Sequence, residues 1–201
     1  MSRSVLQAVS VVGRVRWPDR PRRPAALRAA AAVASASLLA GCGVLSGHTA
    51  VQNDPQVMTV TSSEFGHVVP IPRTYTCHGS GQSPPVAWSG APTNTKALAL
   101  VMDDSDTPID PYVYWIVFNI GTATPDIQAG HVPPGALEAR NSKGTVGYTP
   151  PCPDGRHEYR FTVYALNAPL QLPQGASLTA ASSAIASHAI GYGRTDGIVT
   201  P

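Results

Sequence analysis

Ala97-Leu98-Ala99-Leu100-Val101-Met102 is apolar at every position and then breaks into Asp103-Asp104-Ser105-Asp106. A strand with one wet face alternates apolar and polar residues. An unbroken apolar run of this length predicts a central strand covered on both faces, with the acidic cluster at its mouth. Two further runs belong to the same class. Tyr112 to Ile120 (Tyr-Val-Tyr-Trp-Ile-Val-Phe-Asn-Ile) is rich in β-branched and aromatic residues, and Tyr159 to Leu166 (Tyr-Arg-Phe-Thr-Val-Tyr-Ala-Leu) starts with alternation. Val57 to Ser62 reads as a shorter strand. Between Pro70 and Pro92 the prolines and glycines predict loop with short extended pieces. Only Ser177 to Ile190 looks helical: Ser177 can cap, Leu178, Ile185 and Ala189 share a face, and Gly191 can stop the helix. The expected fold is mainly β, a β-sandwich with a few small peripheral helices, one of them near the C-terminus.

Composition agrees. The chain has 201 residues, 43% hydrophobic and 13% charged, too apolar for a disordered chain, while 20 Pro and 18 Gly argue against a helical bundle. Its formal charge of +2 hides a split. Residues 1–41 hold seven arginines and one acid, a local +6, which leaves −4 on the other 160 residues. With basic residues scattered among acids in that larger part, nucleic acid is not an expected partner.

The basic start is followed by Ala25 to Ala40, the n-region and apolar h-region of a secretory signal. Leu39-Ala40-Gly41-Cys42 then resembles a bacterial lipobox. That resemblance implies cleavage before Cys42 and a lipidated thiol carrying acyl chains such as palmitate, two of which suffice for lasting anchoring. The organisation expected is thus a lipoprotein signal peptide over 1–41, a lipidated Cys42 and flexible tether over 42–56, and one domain over 57–201. The location expected is extracytoplasmic, on the bacterial cell membrane.

Spacing alone assigns little chemistry. Asp103, Asp104, Asp106 and Asp110 suggest Ca²⁺, but Pro108 and Ile109 stand where an EF-hand needs an oxygen ligand and a glycine. A solvated turn is the other reading of the cluster. None of the six histidines forms an i, i+4 pair, and Cys77 and Cys152 lie far apart without a C-x-x-C, so no metal site is expected. No G-x-S-x-G elbow, P-loop or G-x-G-x-x-G occurs, so neither a nucleophile nor a cofactor is expected. His157 and Tyr159 enter a strong strand two residues apart, which puts them on one face.

Four segments carry more. Ser83-Pro84-Pro85-Val86-Ala87-Trp88-Ser89-Gly90, Asp103-Asp104-Ser105-Asp106-Thr107-Pro108, Trp115 to Ile120, and Gly147-Tyr148-Thr149-Pro150-Pro151-Cys152-Pro153 with His157 to Leu166 occur in the order found in phosphatidylethanolamine-binding proteins (PEBPs). The chain most resembles their bacterial Raf-kinase-inhibitor-like branch. The resemblance spans about Val57 to Thr200. It implies a PEBP-like β-sandwich with a small pocket for anionic groups, whose lining falls here on Asp104, Asp106, Pro108, Tyr114, Pro150, Pro151, His157 and Tyr159. The implied partner is an anionic small molecule or a phospholipid head group.

Three positions depart from that pattern: Tyr114 replaces a strand histidine, Pro150 a glycine and Ser105 a proline. A phenol donates a hydrogen bond but stays neutral near pH 7, so His157 is left as the expected titrating donor. Cys77 and Cys152 fall in segments that border the pocket in the family. Export favours a disulfide between them, two reduced buried cysteines being the alternative. Two other functions fit the resemblance: an inhibitor or regulator of an extracytoplasmic protease or signalling protein, and a weak hydrolase using Asp104, His157 and Tyr159. The absence of a recognisable nucleophile argues against an enzyme.

Overall fold

The computed structural model describes residues 56–107 and 110–201. Cys42, the signal segment, most of the tether and Pro108 lie outside those residues. In chain order the strands are β1 (Gln56–Val57), β2 (Thr59–Thr61), β3 (Val69–Pro70), β4 (Val86–Ser89), β5 (Ala97–Asp104), β6 (Tyr112–Ile120), β7 (Asp126–Ile127), β8 (Leu137–Glu138) and β9 (His157–Leu166). Helix α1 (Leu178–His188) and β10 (Ala189–Val199) complete the domain.

The larger sheet runs β1-β10-β9-β5-β6-β8, with β3 also paired to β10, and the smaller one is β2-β4-β7. Strand β5 lies near the middle of the larger sheet, antiparallel to both β6 and β9. One face of this sheet packs Leu98, Leu100, Met102, Trp115, Val117, Phe161 and Val163 against Val60, Val86, Trp88 and Ile127 of the smaller sheet. The other face packs Ala99, Ile116, Phe118 and Leu166 against Ala181 and Ile185 of α1 and against Leu170. A strand with a core on each side has no face left for polar residues, which is why 97–102 is apolar throughout.

Four features differ from the sequence reading, each for a physical reason. The run at 57–62 is two strands, not one. At Met58 the chain leaves β10, to which its N–H donates at 2.8 Å through the Tyr192 carbonyl, and crosses to pair with β4. The helix begins as expected, Ser177 Oγ accepting from the Ala180 N–H at 3.2 Å, but it ends at His188, and Ala189 onward is strand. Strand β10, paired with β9 over its length, is absent from the sequence reading because Gly191, Gly193 and Gly197 give it poor β propensity. Those glycines answer a packing demand. A Cβ on Gly193 would lie 2.2 Å from the Met58 carbonyl oxygen, and one on Gly197 would lie 2.5 Å from Ile71. Lastly, β5 continues two residues past its apolar run, so that Asp103 and Asp104 are buried strand residues rather than loop acids.

Candidate functional site

The end of β5 delivers its two acids to opposite faces. Asp103 points to the helix-covered face and pairs with its register partner Arg160, through Nε at 3.0 Å and through Nη2, which holds the guanidinium above its ordinary value. Asp104 points to the other face, directly across from Tyr159 of β9 and Tyr112 of β6. It is 2% exposed. A carboxylate so buried requires donors, and it has two. The His157 Nδ1 lies 2.7 Å from Oδ2, and the Asp106 N–H donates to Oδ1 at 2.9 Å.

The loop after β5 is fixed to the start of β9. Ser105 donates from both its N–H and its hydroxyl to the Glu158 carbonyl, and Asp106 Oδ2 accepts from the Glu158 N–H at 2.8 Å. The acidic cluster therefore does two jobs: Asp104 orients an imidazole, while Asp106 staples the loop that carries it. With Nδ1 engaged, the imidazole is held with Nε2 directed away from the carboxylate. The His157 and Tyr159 rings share a face, 6.5 Å apart and 27° from parallel.

Tyr114 reaches this face through an irregularity. Strict alternation from Trp115 would put Tyr114 on the helix side of the sheet. The register instead steps from Met102 opposite Trp115 to Asp103 opposite Val113, leaving Tyr114 as the extra residue of a bulge. A bulge re-aims a side chain: Tyr114 packs on the same core as Trp115, its ring edge-on to Tyr159 at 5.2 Å, and Val113 packs on the other. Tyr112 and Tyr148 extend the aromatic wall. Tyr112 lies 5.0 Å from Tyr114, and Tyr148 meets Trp115 edge-on at 5.6 Å while donating to the Tyr75 carbonyl at 2.6 Å.

Burial pushes the phenols of Tyr114, Tyr148 and Tyr159 above their ordinary value, and neighbouring Tyr114 and Asp104 raise Tyr159 further. All three stay protonated donors at neutral pH. Tyr148 has its acceptor. The hydroxyl of Tyr159, a fully buried residue, makes no well-formed hydrogen bond among the described residues, although the Tyr114 hydroxyl is near enough to raise the Tyr159 phenol and, against the larger effect of burial, to lower its own.

Two features of the wall escaped the sequence. Asn141, 2% exposed, sits in a Ser/Lys/Gly-flanked stretch that reads as an ordinary turn. Its amide nitrogen donates to Tyr114 O, Gly147 O and Thr149 Oγ1, and its oxygen accepts from the N–H groups of Lys143 and Thr145. It thus fixes the bulge at Tyr114 to the loop that leads into Pro150 and Pro151. A cleft of about 340 Å³ borders the wall at Trp115 and Tyr148, and Trp115 Nε1 donates to Glu138 there at 2.8 Å.

Pro150 and Pro151 lie in a loop tied at one end to Tyr114, whose carbonyl accepts from the Thr149 N–H at 3.0 Å, and at the other to Cys77. The Cys77 N–H donates to Pro151 O at 3.0 Å, and Cys77 is bonded to Cys152, the two Cα atoms 5.4 Å apart. Both cysteines are exposed rather than buried. Gly81, at φ +68°, lets the facing loop pass Pro150; a Cβ there would come within 2.9 Å of Pro150 Cγ. The structure thus brings Asp104, Tyr114, His157 and Tyr159 together at one end of the sandwich. Asp106 takes part through the loop, and Pro108 lies outside the described residues.

This arrangement was compared with known proteins. The family model described as phosphatidylethanolamine-binding protein matches residues 61–200, most of the chain. The chain belongs to the PEBP family. Among its PEBP relatives, a UPF0098 protein of Methanothermobacter thermautotrophicus is 37% identical over 147 residues, covering 70% of this chain and 97% of the relative. A Mycobacterium tuberculosis protein named as a candidate lipoprotein, LppC, is 41% identical over 143 residues, covering 70% of this chain and 71% of its own. Two crystal structures share the PEBP fold, each with a TM-score of 0.67. They are a PEBP homologue from Chlamydia trachomatis, 32% identical with 73% of this chain and 99% of its own covered, and Escherichia coli YbcL, 25% identical with 72% and 98% covered.

Proposed function

We propose that this chain is a membrane-anchored, extracytoplasmic PEBP that binds a phosphate-type anionic group at the Asp104–His157–Tyr159 face. The observation that carries the reading is the Tyr159 hydroxyl. A buried donor without a well-formed hydrogen bond costs up to about 1–3 kcal/mol, and this one, with only the Tyr114 hydroxyl near it, sits beside an imidazole that a buried carboxylate orients. An anion accepting from both would satisfy the hydroxyl and, when His157 is protonated, neutralise the imidazolium.

Binding rather than turnover is the reading, because the only hydrogen bond of the His157 ring among the described residues goes to Asp104 and no hydroxyl or thiol nucleophile is bonded to it. The anchor rests on the lipobox-like Leu39-Ala40-Gly41-Cys42, with the naming of LppC in support. Two experiments test the two halves. Calorimetry of the full-length protein with phosphoethanolamine should give one saturable site per chain, lost in His157→Ala; absence of binding to the parent protein rejects the pocket. Metabolic labelling with a fatty acid should mark the protein and vanish in Cys42→Ala; labelling that survives rejects the anchor.

A further inference from the structure

The disulfide that holds the Pro150–Pro151 loop has a histidine beside it. His78 follows Cys77 in the chain, and the ligand atoms of Cys77, His78 and Cys152 all lie within 4.8 Å of one another at the surface. Sequence spacing hides this set, because Cys152 arrives from 75 residues away. We propose that reduction of the Cys77–Cys152 bond opens a Cys₂His site for a soft divalent cation, Zn²⁺ being the one that its chemistry fits, with solvent as the fourth ligand.

Geometry supports the exchange of a bond for an ion. In tetrahedral zinc sites Zn–S is about 2.3 Å and Zn–N about 2.0–2.1 Å, which sets the ligand atoms about 3.5–3.8 Å apart. The three atoms are already within 4.8 Å, so the sulfurs need only separate and the imidazole only close in. Thiolate and imidazole ligands select zinc over the oxygen-seeking cations.

The backbone that carries the ligands is tied down independently of the sulfur bridge. Cys77 N–H donates to Pro151 O at 3.0 Å, joining the two loops directly. His78 N–H donates to Thr76 Oγ1 at 3.2 Å, Thr76 Oγ1 donates to Arg73 O at 2.9 Å, and Gly79 N–H donates to Thr76 O at 3.2 Å. Tyr148 secures the preceding residue through Tyr75 O. Loss of the bridge therefore leaves Cys77 and Cys152 side by side.

The chemistry balances with a dithiol reductant of the thioredoxin class. Thiolate attack on the exposed bridge transfers two electrons and two protons to the protein, giving two thiols, and the reductant leaves as its own disulfide. Binding of M²⁺ then releases the two thiol protons and forms two metal–thiolate bonds. In the oxidised protein the thiolates do not exist and the site is closed, so metal binding reports the redox state of the loop that carries Pro150 and Pro151.

Cobalt(II) is the probe. The full-length chain carrying Cys42→Ser, so that only these two thiols remain, is reduced with a phosphine, desalted under anaerobic conditions and titrated. The expected result is one cobalt per chain, with thiolate-to-cobalt absorption and tetrahedral d–d bands that Zn²⁺ abolishes, and none of this in the oxidised protein. His78→Ala should weaken binding by at least about tenfold. A reduced protein that binds cobalt no better than the oxidised one, or a His78→Ala affinity equal to the parent's, overturns the site. The double variant Cys77→Ser, Cys152→Ser guards the premise: it should keep the native near-ultraviolet dichroism, and its unfolding would show that the backbone does not hold the ligands in place.

Discussion

Asp104 Oδ2 and His157 Nδ1 lie 2.7 Å apart, a buried carboxylate of one central strand holding the first residue of the next. The carboxylate is 3% exposed and the imidazole 31%, so the pair has a dry end and a wet end. On the proposed reading the wet end is where an anion would meet it. A protonated His157 donates from Nε2 to an anion while Nδ1–H stays on Asp104. A neutral one, with its single proton kept by Asp104, turns a lone pair toward the anion instead.

Tyr159→Phe should separate binding from stability. Removing a buried hydroxyl without a well-formed hydrogen bond relieves its desolvation, so the unfolding midpoint should hold or rise, by up to about 1 kcal/mol in stability, while affinity for a phosphate ester falls. The raised phenols add a pH signature. Burial lifts the folded values of Tyr114, Tyr148, Tyr159 and Tyr164, so their share of stability is intact below the unfolded value of about 10 and is lost as pH climbs beyond it. Denaturant melts across alkaline pH should decline from there, less steeply in Tyr159→Phe.

Opening the Cys77–Cys152 bridge removes a crosslink that closes a loop of 75 residues. Chain entropy for a loop of that length puts the loss at about 4.5 kcal/mol, and bridges typically contribute about 2–4 kcal/mol. Chemical denaturation of the oxidised protein against the double serine variant measures it, and a difference below about 1 kcal/mol would mean that the hydrogen bonds around Thr76 and Pro151 already do the work.

Gly193→Ala should destabilise the domain by about 2–3 kcal/mol, because the added carbon meets the Met58 backbone oxygen at 2.2 Å and no side-chain rotation relieves a backbone clash. Gly90→Ser offers the contrast. A Cβ at Gly90 meets nothing within 4 Å, so only its positive φ opposes the change, for about 1 kcal/mol.

Asn141 marks the limit of what a local reading reaches. Each of its bonds joins residues within eight positions except the one to the Tyr114 carbonyl, which comes from 27 residues away. That bond turns a plain turn into a strut for the site. The bulge at Tyr114 is invisible for the same reason. Alternation along β6 assigns Tyr114 to the helix side, and only the register against β5 shows the extra residue that reverses it.

The sequence by itself determined the apolar central strands, the Ser177 cap, the shared face of His157 and Tyr159 and, through motifs in fixed order, the PEBP family. Each is a local pattern, set by the two-residue pleat of a strand or the geometry of a helix end. Tertiary structure decided the rest: that β10 is a strand despite its glycines, that Asp104 is buried and bound to His157, that Tyr114 turns to the site, and that Cys77, His78 and Cys152 meet. Those outcomes depend on close approach between segments distant in the chain. Packing against a neighbour can outweigh residue propensity wherever a Cβ or a charge has no other place to go.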